Sequence, residues 1–135
     1  MRLFALAVTL CAAMGSTHAA ENLRLGQTIN ASLTTNDRIS DSGGRSKDYQ
    51  ISLKQGQLIA LNARSTVIDP VLILFKADGT KIEENDDHGE STDALIVTTI
   101  PESGLYTLRL NSLAADEGDA KVVGEFSLRA LLVGD

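Results

Sequence analysis

Apolar and polar residues alternate with a period of two over much of this chain. Tyr49, Ile51 and Leu53 alternate with Gln50 and Ser52, and Tyr106, Leu108 and Leu110 with Thr107 and Arg109. Phe126, Leu128, Ala130 and Leu132 alternate with Ser127, Arg129 and Leu131. This is the pattern of a strand with one face toward a core and one toward water. Val71-Leu72-Ile73-Leu74-Phe75 breaks the alternation directly after Pro70, and predicts a central strand covered on both faces. Leu58 to Ala63 and Ala94 to Ile100 are further strand candidates, with weaker ones at Thr28 to Leu33 and Thr80 to Glu83. Lys54-Gln55-Gly56-Gln57, Ala77-Asp78-Gly79-Thr80 and Pro101-Glu102-Ser103-Gly104 read as turns between them. The longest polar stretch, Asn36 to Lys47, reads as a flexible surface loop. No helical period follows residue 20, so about eight short strands predict an all-β fold, an antiparallel β-sandwich of jelly-roll-like form.

The first residues differ from all this. Met1-Arg2 precedes an apolar run from Leu3 to Met14, which ends in Gly15-Ser16-Thr17-His18-Ala19-Ala20. A basic start, an apolar run too short to span a bilayer and small residues at its end predict a signal peptide over 1–19. Residues 20–135 then form a single domain, exported to the periplasm or the medium. The one cysteine of the chain, Cys11, leaves with the signal. A domain of this kind is stabilised by its own core or by a bound ion rather than by disulfides. Net charge is −6 for the whole chain, and −7 without Arg2, eleven basic residues against eighteen acidic. That balance argues against nucleic acid or an anionic membrane as partner. No second apolar stretch reaches transmembrane length, so no membrane insertion is expected.

Charge is concentrated in one place. From Glu83 to Asp93, six carboxylates fall within eleven residues, with no Lys or Arg among them. A hairpin centred on Asp78-Gly79 pairs residues whose numbers sum to 156 or 157, which sets Asp69 opposite Asp87. A second hairpin at Gln55-Gly56 would bring Asp48 to the same end as Arg64 and Ser65. Asp48, Asp69, Asn85, Asp86, Asp87 and Asp93 are thus expected at one pole, with Asp78 at the other. Carboxylates gathered without cations are solvated, protonated or bound to metal, and hard oxygen donors suit calcium. The spacing is not that of an EF-hand. A solvated acidic loop is the competing reading. Catalysis finds little support. After the signal, the only histidine is His88, set among acids beside Gly89, no cysteine remains, and the chain lacks the Trp platforms of a sugar cleft.

A set of short motifs runs through the chain in order: Asp48-Tyr49, Gly56-Gln57, Asp69-Pro70-Val71-Leu72-Ile73-Leu74, Asp78-Gly79, Asn85-Asp86-Asp87, Pro101-Glu102-Ser103-Gly104-Leu105-Tyr106-Thr107-Leu108 and Gly124-Glu125-Phe126-Ser127-Leu128. In this order and spacing the chain resembles the bacterial pre-peptidase C-terminal domain, related to the collagen-binding domains of clostridial collagenases. The resemblance implies a jelly-roll-like sandwich without catalytic activity, and calcium in some relatives. Those relatives also draw calcium ligands from an acidic N-terminal segment, which here reads Glu21-Asn22-Leu23-Arg24 with one carboxylate. Their exposed aromatics bind collagen, whereas Tyr49 and Tyr106 fall on the inward phase of their strands and belong to a core. The family's module usually follows a peptidase domain, and here it reads as the module alone. The expected function is therefore an exported binding or accessory module that contacts protein or polysaccharide. The alternative is a purely structural domain with a solvated acidic pole.

Overall fold

The computed structural model describes residues 19–40, 43–85, 93–113 and 122–134. Ten strands make up the described chain. They are β1 (Glu21–Asn22), β2 (Thr28–Leu33), β3 (Arg38–Ile39), β4 (Arg45–Leu53), β5 (Leu58–Arg64), β6 (Pro70–Phe75), β7 (Lys81–Asn85), β8 (Ala94–Thr99), β9 (Gly104–Ser112) and β10 (Gly124–Leu132). One sheet runs in the order β1-β4-β9-β6-β7, with β3 also on β4, and the other in the order β2-β10-β5-β8. Leaving aside the two-residue strands β1 and β3, the other eight pass from sheet to sheet in the order of a jelly roll, except that β6 and β7 form a hairpin within one sheet. All pairs are antiparallel except β1 with β4.

The alternation in sequence becomes the core directly. Tyr49, Ile51 and Leu53 of β4 meet Leu108 and Tyr106 of β9, and Leu72 and Leu74 of β6 lie beyond them. From the facing sheet come Ile59 and Leu61, Ile96, and Phe126 and Leu128, all buried. Each large apolar side chain so buried contributes roughly 1.5–3 kcal/mol. Pro70 opens β6, the one strand position where its missing N–H costs no interior ladder bond. At Lys54-Gln55-Gly56-Gln57 the chain reverses with Gly56 at φ 88°, a conformation that excludes most side chains. Gln57 fixes this turn by accepting the Lys54 N–H on its Oε1 at 2.8 Å.

Two local expectations change. The Gln55-Gly56 turn is not a hairpin within one sheet: it carries the chain from β4 in one sheet to β5 in the other. The polar stretch Asn36 to Lys47 is not simply a loop either. It contains β3 and the start of β4, and it is tied down by polar bonds that hydropathy does not register. Arg45 N–H donates to Ser112 Oγ at 3.0 Å, and that hydroxyl donates to the Val122 carbonyl at 2.7 Å. Gly44 lies so close to the Ser112 carbonyl that no Cβ fits there. The Asp78-Gly79 hairpin keeps the expected register. Leu72 pairs with Asn85 and Leu74 with Glu83, and a bulge after Leu74 brings Phe75 to Lys81. Residues 1–18, which hold nearly all of the expected signal peptide, lie outside the described residues. Among the described residues no helix is long and apolar enough to cross a membrane.

Both tyrosines are buried, but their hydroxyls differ. Tyr106 O–H donates to the Glu102 carbonyl at 2.6 Å. Tyr49 O–H is buried without a hydrogen-bond partner. Burial first, and then the charges of Glu21 and Asp37, raise its pKa well above the ordinary value. Tyr106→Phe should therefore lose about 1 kcal/mol, roughly a 4 °C fall in Tm. Tyr49→Phe should leave Tm unchanged or raise it. Thermal unfolding of the two variants checks the contrast.

Candidate functional site

The unalternating run on β6 has a structural counterpart. Leu72 and Leu74 point into the core, and Val71, Ile73 and Phe75 belong to the outer face of their sheet. Across that face, strand pairing aligns Asp48 on β4, Arg109 on β9, Ile73 on β6 and Glu84 on β7 in one row. Arg109 Nε donates to Asp48 Oδ1 at 2.8 Å and its Nη2 to Oδ2 at 3.0 Å, a bidentate pair. The same guanidinium lies 5.0 Å from the centre of the Phe75 ring, within cation–π range. Arg38 of β3 reaches over from the sheet margin, donating through Nη2 to Asp48 Oδ1 at 3.2 Å and to Ser46 Oγ at 3.0 Å. Lys81 Nζ meets Glu84 Oε1 at 2.7 Å on the far side. Between these elements runs a groove of about 580 Å³, with Ile39, Val71, Ile73, Phe75, Arg109 and Leu113 in its lining. Its apolar floor is flanked by guanidinium and ammonium groups whose charges are already partnered.

Asp48 is half-buried in this face. Burial works to raise its pKa, but the hydrogen bonds and charge of Arg109, with Arg38 adding to them, outweigh it and hold the carboxyl below its usual range. The structure does not bring Asp48 to the acidic pole. Its row on β9 lies four residues from Leu113, whose N–H donates to the Asp69 carbonyl, a separation of about 13 Å along the strand. The missed signal was the pair itself: Asp48 and Arg109 occupy matching outward positions of two alternating strands.

Of the remaining candidates, Asp69, Asn85 and Asp93 are described: Asp69 lies in the β5–β6 connection, and Asn85 and Asp93 flank the β7–β8 connection. Asn85 ends β7, pairs with Leu72 and accepts the Leu95 N–H on Oδ1 at 3.3 Å. Asp93 precedes β8, accepts the Ser65 N–H at 3.3 Å on Oδ1 and meets Arg64 Nε at 3.4 Å on Oδ2. Asp69 closes the short connection from β5, which Ser65 shapes by accepting the Val67 and Ile68 N–H groups on its hydroxyl oxygen. Asp86 and Asp87 lie outside the described residues. A second groove, of about 820 Å³, opens here beside Arg64, Asp93 and Glu125. Calcium requires six to eight oxygen donors at close range. Among the described residues no group of three or more His, Cys, Asp or Glu is placed to hold a metal. Asn85 and Asp93 already receive N–H donors, and Asp93 also has Arg64 beside it. The described donors do not form a calcium site by themselves. Asp78 lies in the turn at the other end of β6, where it accepts the Thr80 N–H at 2.9 Å.

No protein-family model matches the chain, and no curated protein matches it by sequence. Solved structures do match in fold. The pre-peptidase C-terminal domain of a collagenase from Bacillus anthracis superposes with a TM-score of 0.61 at 16% identity, over 84% of this chain and 96% of that one. PliG from Aeromonas hydrophila, a periplasmic inhibitor of g-type lysozyme, gives 0.58 at 17% identity, over 84% and 99%. CorA from Methylomicrobium album BG8, a surface-associated copper-binding protein, gives 0.59 at 9% identity, over 84% and 98%. The chain thus has the β-sandwich fold of the pre-peptidase C-terminal domain. That fold is shared by proteins with different printed roles, so function has to be argued from this chain's own surfaces.

Asp48 titrates lower in the folded chain than its ordinary value of 3.8. Its contribution to stability is therefore complete above that value and is lost as pH falls through the lower folded one. Asp48→Asn should cost about 1–2 kcal/mol at neutral pH, and the cost should shrink in strong acid. Denaturant midpoints of wild type and variant across the acid range test this. A difference that does not change with pH would contradict it.

Proposed function

We propose that this chain is an exported, non-catalytic β-sandwich module that binds a partner protein on the outer face of the β1-β4-β9-β6-β7 sheet. The observation that carries this reading is the apolar floor of the groove on β6. A strand face normally turned to water holds Val71, Ile73 and Phe75 in line, and Val71 is only 5% exposed. Apolar floor with a charged rim is the anatomy of a protein-binding surface. A polysaccharide fits less well, because sugars stack on open aromatic faces and the Phe75 ring already lies under Arg109. Export rests on the expected signal over 1–19, and it accords with the fold being shared by a periplasmic inhibitor and a surface-associated protein. The non-catalytic reading rests on composition: beyond residue 20 the chain has one histidine and no cysteine.

A photocrosslinking residue placed at Ile73 should give a discrete adduct with an extracytoplasmic protein in the producing cell. The same group at Thr28, on the other sheet, should give none. Equal adducts from both positions, or none from Ile73, would overturn the assignment of this face.

Calcium stays as a second, separate proposal for the pole, resting on the six carboxylates in the sequence from 83 to 93 and on Asp69 lying in a connection at the same end of β6 as Asn85. A bound ion raises Tm with its concentration. Asp69→Asn should remove that increment and Asp78→Asn should keep it. A Tm indifferent to millimolar calcium and to chelator would end this reading.

A further inference from the structure

Near its end, β9 turns a polar side chain to the outer face of its sheet and buries it there. Thr107, Arg109 and Asn111 alternate with the core residues Leu108 and Leu110, and so belong to the face turned from the core. Asn111 is nonetheless only 9% exposed. It pairs with Ser46 of β4 and with Val71 of β6, both buried as well, in the row next to that of Asp48, Arg109 and Ile73. Ser46 has its partner, accepting Arg38 Nη2 on Oγ at 3.0 Å. Asn111 Oδ1 is buried without a hydrogen-bond partner.

A buried acceptor left unmet carries the full cost of its desolvation, and folded chains rarely leave one so. The Tyr49 hydroxyl, also unpartnered, lies in the core. Asn111 differs, because it lines the groove of about 580 Å³ on this face, beside Val71, Ile73 and Leu113. Neighbouring donors are engaged within the chain: Arg109 on Asp48, Arg38 on Asp48 and Ser46, Lys81 on Glu84. Among the described residues Arg38, Arg109 and Lys81 outnumber Asp48 and Glu84 around the groove, so a further cation is repelled from it.

What fills such a site has an apolar body, a hydrogen-bond donor at its tip and no positive charge. Leucine and phenylalanine lack the donor, and lysine and arginine bring the charge. A tyrosine hydroxyl adds an acceptor oxygen where the neighbouring donors are already engaged. The indole of tryptophan meets every condition, since its Nε1–H is a donor only. Tryptophan is also prominent among the residues that anchor protein interfaces. This chain has no tryptophan of its own, so a second copy does not supply the anchor.

We propose that the partner seats a tryptophan side chain in this groove, its indole N–H donating to Asn111 Oδ1 and its rings against Val71, Ile73 and Leu113. The terminal torsion of an asparagine side chain is soft, so a small turn of the amide meets the donor. The inference rests on the reading that the outer face of β6 meets a protein, and names the side chain which that protein presents.

N-acetyltryptophanamide titrated into the purified chain should shift the Val71 and Ile73 methyl resonances. Its 1-methylindole analogue keeps the rings but lacks the N–H, and should bind at least about fivefold more weakly. Asn111→Leu replaces the amide by an apolar group of similar size and should bind the two indoles equally. Asn30→Leu, exposed on the other sheet, should keep the preference of the wild type. Methyls unmoved by the tryptophan amide at its solubility limit would overturn the proposal. So would equal binding of the two indoles by wild type, or a preference that survives in Asn111→Leu. The wild-type comparison decides alone where Asn111→Leu does not fold. A protein captured at Ile73 by a chain without indole preference defeats the tryptophan anchor and leaves the binding face. An indole preference with no adduct at Ile73 defeats the partner reading and leaves an indole site.

Discussion

One guanidinium, that of Arg109, ties the outer face of the larger sheet together. β6 is apolar on both faces, and only one of them meets the core. On the other, Arg109 lies over Phe75 and grips Asp48 with two hydrogen bonds, so it spans β6, β9 and β4 at once. Arg38 joins through the same carboxylate and draws β3 over the face. Planar, forked geometry is what allows a single side chain to stack on a ring and bind a carboxylate bidentately, which lysine cannot do. The groove exists because this arrangement shields the apolar row without filling the space above it.

Charge is distributed by topology rather than by sequence neighbourhood. Apart from the β6–β7 hairpin, the jelly-roll path sends successive strands to alternate sheets, so residues close in sequence separate and distant ones meet. Asp48 thereby acquires Arg109 as its partner, while Asp69 lies in the β5–β6 connection and Asn85 and Asp93 flank the β7–β8 connection. The same path leaves β8 as an uncharged edge although an acidic run precedes it. The groove on β6 and the groove beside Arg64, Asp93 and Glu125 are consequently separate regions of one small sandwich.

Much of the architecture is legible in the residues, because inward positions such as Tyr49, Ile51, Leu108 and Leu128 repeat with the strand period and a one-residue slip would expose them. The Asp78-Gly79 turn also fixed its register, since a tight turn leaves few alternatives. The unalternating β6 run pointed to cover on both sides, and the structure supplies it with the core on one face and Arg109 and a partly open groove on the other. What could not be read was which sheet each strand joins. The Gln55-Gly56 turn looks the same whether it closes a hairpin or bridges two sheets, and the placement of Asp48 turned on that difference. The segment from Asn36 to Lys47 misled for another reason: it is held by Arg38, Arg45 and Ser112 through polar bonds, which hydropathy does not register.

The central claim is that the outer face of β6 is where this module meets its partner. Methyl resonances of Val71 and Ile73, followed by NMR while the protein captured at Ile73 is titrated in, test it most directly. The account predicts that these methyls shift or broaden together while those of Leu58 and Val97 on the other sheet stay in place. Perturbation confined to Leu58 and Val97, with Val71 and Ile73 unmoved, would contradict it.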